Sequence, residues 1–263
     1  MDTILIAVSS ITIIGAMCAA ILSIASKIMH VEVDERIAKT NAVLPGTNCG
    51  ACGFPGCAGY ASALIEDFNT KSSLCTPGGA VVAAQISEIL GIKGEAAVSK
   101  TAVVHCGGDA DAQNKKMTYT GIQTCYAAAT VFCGESACAY GCLGYGDCKF
   151  ACPSDAICMI NGLASINRVL CTGCGLCVAA CPHKIIGVRN DEFKTYISCS
   201  NIEKAATVRK KCAKCCLGCG KCVRECPEKA IVVENNLAKI DCGKCTNCGH
   251  CAAICPTGCV QTL

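Results

Sequence analysis

The stretch CTGCGLCVAACP, from Cys171 to Pro182, decides how this chain is read. Its spacing, C-x2-C-x2-C-x3-C-P, returns as CTNCGHCAAICP from Cys245 to Pro256. A short loop of small residues lets three thiolates converge on three irons of one [4Fe–4S] cube. The fourth thiolate, followed by proline, turns away and ligates a neighbouring cube. Structural zinc is the alternative, but it favours two separated C-x2-C pairs over a run of three.

Composition points the same way. The chain has 263 residues, of which 30 are cysteine, four are histidine and none is tryptophan; aromatic residues make up 4%. So few large side chains cannot fill several ordinary cores, and bound clusters are expected to take their place, so that cluster binding becomes folding energy. A disulfide-rich secreted domain also has many cysteines. Tight cysteine triplets suit a metal better than paired bridges, so a reducing compartment is expected. The formal net charge of +3 counts thiols as neutral. Five cubes with four thiolates each, at about −2 per cube, would bring the total to about −7. The basic residues then balance clusters, and no nucleic-acid partner is expected.

Residues from Thr3 to Ser26 carry no charge. As a helix they span about 36 Å, enough to cross a bilayer. A signal peptide would begin with a basic region, whereas this chain begins Met1-Asp2. Cys18 reads as a small apolar residue of the helix, because Met17 before it is a poor fit to a lipoprotein site. Lys27, Arg36 and Lys39 follow, which puts the remainder on the cytoplasmic side of the inner membrane, single-pass. A charged connector then leads to Cys49, Cys52, Cys57 and Cys75, one self-contained cluster site with zinc as the alternative. Helices are expected over 58–68 and 80–90, the second stopped by Gly91. A short strand is expected over 101–106 and a loop over 107–124. His105 beside Cys106 reads as a histidine packed near a strand end, with a mixed ligand pair as the alternative.

From Cys125 the chain repeats itself at a shift of 74 residues. Cys125, Cys138, Cys142, Cys148 and Cys152 map onto Cys199, Cys212, Cys216, Cys222 and Cys226; the four cysteines of the opening stretch map onto the four of its return. Each copy holds two ligand groups, hence a two-cluster ferredoxin module. In the first copy Tyr145 stands where a middle cysteine is expected, and Cys138 is expected to substitute. The proposed sets are Cys138, Cys142, Cys148 with Cys181, and Cys171, Cys174, Cys177 with Cys152. In the second copy they are Cys216, Cys219, Cys222 with Cys255, and Cys245, Cys248, Cys251 with Cys226. There Cys212 competes with Cys219 as ligand. Asn161-Gly162 and Asn235-Asn236 read as hairpin turns between the groups. Cys106, Cys125, Cys133, Cys158, Cys199, Cys212, Cys215, Cys242 and Cys259 are left over, and a sixth cluster using some of them is a further hypothesis.

The expected fold is therefore α+β: a transmembrane helix (1–30), a small helical domain with a single [4Fe–4S] cluster (31–100), and two tandem two-cluster ferredoxin-like modules (101–198, with a preceding strand and loop, and 199–263). This order of parts, with CAYGCLGYGDCKFACP over 138–153, resembles the B subunit of the Rnf complex, the ion-translocating ferredoxin:NAD+ oxidoreductase of bacterial membranes. The resemblance covers essentially the whole chain, departing from the family pattern in Cys215, Cys242 and Cys259. It implies a membrane-bound iron–sulfur protein that takes electrons from reduced soluble ferredoxin and passes them to other subunits, which hold the flavins and the NAD site and move Na+ or H+. A membrane-anchored polyferredoxin serving another oxidoreductase, or a corrinoid-type iron–sulfur partner, are the rival readings. Residues 199–263 hold ten Lys/Arg against five Asp/Glu. Within them Arg209, Lys210 and Lys211 form a basic run suited to docking an acidic ferredoxin. Gly141, Gly144 and Gly146 lie inside a ligand loop and follow no strand, so neither a nicotinamide nor a flavin site is expected here, and no acid–base catalytic residue is needed.

Overall fold

The computed structural model describes residues 2–28, 34–67, 69–92 and 99–262; within the first helix, side chains are described over 12–25. Residues 29–33, at the expected junction of helix and connector, lie outside the described residues, as does Phe68 at the expected end of the second domain's first helix. Helix α1 runs Asp2–Ile28. Its described apolar side chains, among them Ile13, Met17 and Leu22, face outward. Among the described residues no helix is long and apolar enough to cross a membrane.

The small second unit packs three helices. Helix α2 (Glu35–Val43) starts at Asp34, whose carboxylate accepts from the Arg36 N–H at 2.8 Å. Helix α3 (Cys57–Glu66) and helix α4 (Gly79–Leu90) flank a short turn, and α4 ends at Gly91 in the left-handed conformation that stops helices. Leu44, Tyr60, Leu64 and Ile86 form the core, with Cys75 among them. Tyr60 is buried and its hydroxyl donates to the Lys71 carbonyl at 2.6 Å, which closes the loop that returns Cys75.

The remainder is two copies of one small α+β plan. In the first, strand β1 (Lys100–Val104) pairs antiparallel with β4 (Ile186–Asn190), Val104 opposite Ile186. Between them come helices α5 (Cys125–Thr130) and α6 (Asp147–Phe150), the hairpin β2–β3 (Ile157–Ile160, Leu163–Ile166) and helix α7 (Leu176–Ala180). In the second, β5 (Thr195–Ile197) pairs with β8 (Val260–Thr262), Ile197 opposite Val260. Between these lie helices α8 (Ala205–Val208) and α9 (Lys221–Arg224), the hairpin β6–β7 (Ile231–Glu234, Leu237–Ile240) and helix α10 (His250–Ala253). Strand β5 precedes residue 199 yet is paired with the last strand of the chain. Both hairpin turns have two residues at positive φ: 46° and 73° at Asn161 and Gly162, 49° and 62° at Asn235 and Asn236. Such turns match the right-handed twist of the strands.

Each module's interior is built from small aliphatic side chains and cysteines. Ile157, Ala164, Ile185 and Ile186 surround Cys148 and Cys177; Ile197, Ile231, Ala238 and Val260 surround Cys216, Cys222 and Cys251.

Candidate metal centres

The loop before α3 brings Cys49, Cys52 and Cys57 round to Cys75. Asn48 organises it: its Oδ1 accepts from the Cys57 N–H at 2.8 Å. At Gly56 (φ 110°) a Cβ would stand 2.8 Å from that same oxygen, so glycine is required there. Burial, then the neighbouring Cys57, Cys52 and Cys49, push the Cys75 thiol up, so the four sulfurs sense one another.

In the first module a small cavity is walled by Cys125, Cys142, Cys148 and Cys181, with Val104, Met159, Ile185 and Ile186 also lining it. Cys138, expected here from the sequence, is not on its wall. Cys125, the first residue of α5, lines the cavity instead. Asp147 fixes it, its two carboxylate oxygens accepting from the N–H groups of Cys125 (2.9 Å) and Tyr126 (3.0 Å). Tyr145 stands in the loop where a middle cysteine is expected, and the fourth cysteine on the wall comes from the start of α5, 20 residues earlier. Burial, then Cys142, Cys125, Cys181 and Cys177, push the Cys148 thiol up to about 12. Around Cys177 the corresponding neighbours are Cys171, Cys174 and Cys152, which with burial push it up to about 11. Cys181 and Cys152 thus stand with the group opposite their own, as the crossed pattern requires.

The second module has a small cavity walled by Cys216, Cys219, Cys222 and Cys255, with Cys259 beside them. Cys212 is not on its wall. Cys222 is pushed up to about 11 by burial and by Cys216, Cys219, Cys251 and Cys255. Cys251 is raised by burial, Cys245 and Cys248. Cys226 packs into the same core. The neighbouring Cys199 and Cys216 sulfurs, and then burial, push the Cys259 thiol up, while Cys259 draws Cys216 down to about 6.

Backbone N–H groups point at sulfur at matching places in the two copies. Ala156 donates to Cys152 Sγ (3.3 Å) and Ala230 to Cys226 Sγ (3.4 Å). Two further bonds lie at places that do not correspond to each other, Ala102 donating to Cys171 Sγ and Ala238 to Cys216 Sγ. Donors of this kind tune cluster potentials. Among the described residues no three cysteine, histidine or carboxylate groups close on a point for a single ion. Soft thiols around an apolar cavity, with amides aimed at sulfur, fit iron–sulfur cubes.

Outside these sites, His105 is packed: its Nδ1–H donates to the Ile197 carbonyl at 2.8 Å, its ring lies edge-on to Tyr196, and burial lowers its pKa. Arg209 and Lys210 are exposed, whereas Lys211 pairs with Glu203 at 2.6 Å. Gly144 presses on the β2–β3 turn and Gly146 starts α6.

Comparison with known proteins agrees with this geometry. A family model for an Fe-S cluster matches residues 44–77. Models described as 4Fe-4S dicluster domains match 170–231 and 215–259. The chain is 38% identical over 262 residues (99% of it, 78% of the relative) to the B subunit of the Na(+)-translocating ferredoxin:NAD(+) oxidoreductase complex of Acetobacterium woodii. It is 41% identical over 266 residues (100% of it, 94% of the relative) to the proton-translocating counterpart of Clostridium ljungdahlii. It is also 37% identical over 249 residues, 94% of each chain, to the B subunit of the ion-translocating oxidoreductase complex of Methanosarcina acetivorans. Cysteine groups, duplicated modules and similarity along nearly the whole length agree: the chain belongs to the family of B subunits of Rnf-type ion-translocating ferredoxin:NAD+ oxidoreductase complexes.

Proposed function

We propose that this chain is the electron-entry component of its complex, taking electrons from reduced ferredoxin and handing them to partner subunits through [4Fe–4S] cubes. Five ligand sets carry the relay: Cys49, Cys52, Cys57, Cys75; Cys125, Cys142, Cys148, Cys181; Cys171, Cys174, Cys177, Cys152; Cys216, Cys219, Cys222, Cys255; and Cys245, Cys248, Cys251, Cys226. The observation that carries the reading is the pair of cavities, each lined by at least four cysteines, three of them (Cys142, Cys148, Cys181 and Cys216, Cys222, Cys255) at corresponding places in the duplicated modules. Bound cubes supply the one-electron chemistry; the polypeptide needs no nucleophile or proton shuttle of its own. Its residues hold thiolates in crossed sets, keep water away with small aliphatic side chains, and aim amides at sulfur. Helix α1 anchors the chain in the membrane, with the cysteine-bearing part on the cytoplasmic side.

Arg209 and Lys210 are the docking face for an acidic ferredoxin, since both are exposed beside the buried Cys212. Stopped-flow oxidation of reduced ferredoxin tests this. The Arg209→Glu/Lys210→Glu variant is expected to react roughly tenfold more slowly at low salt and to lose most of its salt dependence. Equal rates for variant and wild type would remove the docking face. An anaerobically purified chain that is iron-poor and gives no EPR signal on reduction would remove the relay itself.

A further inference from the structure

We propose that Cys106, Cys138, Cys199 and Cys212 hold a sixth [4Fe–4S] cube at the seam between the two modules. A small cavity lies there, and these four sulfur-bearing residues line it together with Cys215. It is separate from the two module cavities, whose walls contain none of the four.

The four cysteines are delivered in symmetric pairs. Cys106 follows β1 by two residues and Cys199 follows β5 by two. The residue between strand and cysteine is tied alike in both copies: His105 N–H to the Ile185 carbonyl at 2.7 Å, Ser198 N–H to the Cys259 carbonyl at 2.8 Å. Cys138 stands four positions before Cys142, and Cys212 four before Cys216. Each module therefore gives one cysteine from a strand end and one from ahead of its ligand loop. Cys215 has no counterpart, because Gly141 occupies the matching position, and it is left as a spare.

The walls are prepared for thiolates. The Cys142 N–H donates to Cys106 Sγ at 3.3 Å. Asn201 is 1% exposed; its Nδ2 donates to Cys138 Sγ at 3.3 Å and to Glu203 Oε2 at 3.0 Å, while its Oδ1 accepts from the Glu203 N–H at 2.7 Å. A buried amide spent on sulfur suits a ligand that carries charge. The seam is also held by backbone: Ala213 N–H to Ala112 O at 2.8 Å and Asn114 N–H to Lys211 O at 2.9 Å. With Cys106 against Cys142 and Cys212 just ahead of Cys216, the site joins the two module cavities, and electrons cross the seam one at a time with no proton transfer. This rests on the iron–sulfur reading above.

Iron and sulfide analysis of the full-length chain, purified anaerobically, tests the site. Six cubes give about 24 irons per chain and five give about 20. The Cys106→Ser/Cys212→Ser variant is expected to lose about four irons, and Cys215→Ser none. A wild-type count near 20 overturns the sixth site whether or not the double variant folds. So does an iron content unchanged in a folded double variant, or a loss of about four irons in Cys215→Ser. Iron far below 20 in wild type, unchanged by Cys171→Ser, overturns the relay reading and this site together. Loss in Cys171→Ser with a wild-type count near 20 overturns this site alone.

Discussion

Asp147 fixes Cys125 at the first module's cavity by accepting the two N–H groups at the start of α5. Removing that carboxylate should loosen one ligand without touching the others. Asp147→Ala is expected to cost about 1–2 kcal/mol, the usual loss for a helix cap. Cys125→Ser should remove about four irons per chain, while Cys133→Ser, at an exposed position, should remove none. Iron analysis of the three variants decides, and retention of all iron by Cys125→Ser would return the ligand role to Cys138. The sequence conceals this arrangement for a physical reason. Ligand groups such as Cys171, Cys174 and Cys177 are set by one loop, so spacing alone reveals them. The tie from Cys125 to Asp147 spans 22 residues and depends on folding.

At the scale of elements, the repeat itself needs correcting. The 74-residue register puts Cys199 opposite Cys125, but strand pairing puts Cys199 in the place of Cys106. Thirty-two positions separate Cys106 from Cys138, and 13 separate Cys199 from Cys212, so module one carries 19 more residues there. That added segment contains α5 and Cys125, the cysteine proposed to compensate for Tyr145; module two has Cys219 at the corresponding place and lacks the segment. Where both copies keep the same length, the register is sound. Gly144 and Gly218 correspond, and a Cβ on either would stand 2.7 Å from a carbonyl oxygen, of Gly162 and Asn236 respectively. Each ligand loop is thus pressed on the tip of its hairpin, and local turn residues made those hairpins legible in the sequence. Gly218→Ala combines a left-handed backbone (φ 60°) with a clash against rigid main chain. A loss of about 2–5 kcal/mol is expected. Gly91→Ala, left-handed but with open space around it, should cost only about 1–2 kcal/mol. Anaerobic urea unfolding compares them; equal costs would show that the contact between loop and hairpin is unimportant.

At the scale of the whole molecule, the chain divides into an apolar helix and a body built round cysteine. From Thr3 to Ser26 there is no charged side chain, and α1 is continuous over Asp2–Ile28. In water, the exposed faces of Ile13, Ile14, Ile21 and Leu22 are each unfavourable at about 25 cal/mol per Å² of apolar surface. Insertion of α1 in a bilayer, as proposed above, would remove that cost for these side chains, whereas an amphipathic surface helix would need charged residues that 3–26 lack. Every proposed ligand lies beyond residue 48, so anchoring and cluster binding should separate cleanly. Deleting residues 2–28 and expressing the chain without other subunits should move it from the membrane pellet to the soluble fraction, with iron per chain unchanged. Expression alone matters, because a partner protein of the complex would hold the truncated chain at the membrane. Persistent pelleting of a folded, iron-replete truncation would place the membrane contact on the cysteine-bearing body. Iron loss on truncation would mean that the helix also supports a cluster, against the separation drawn from the positions of the cysteines.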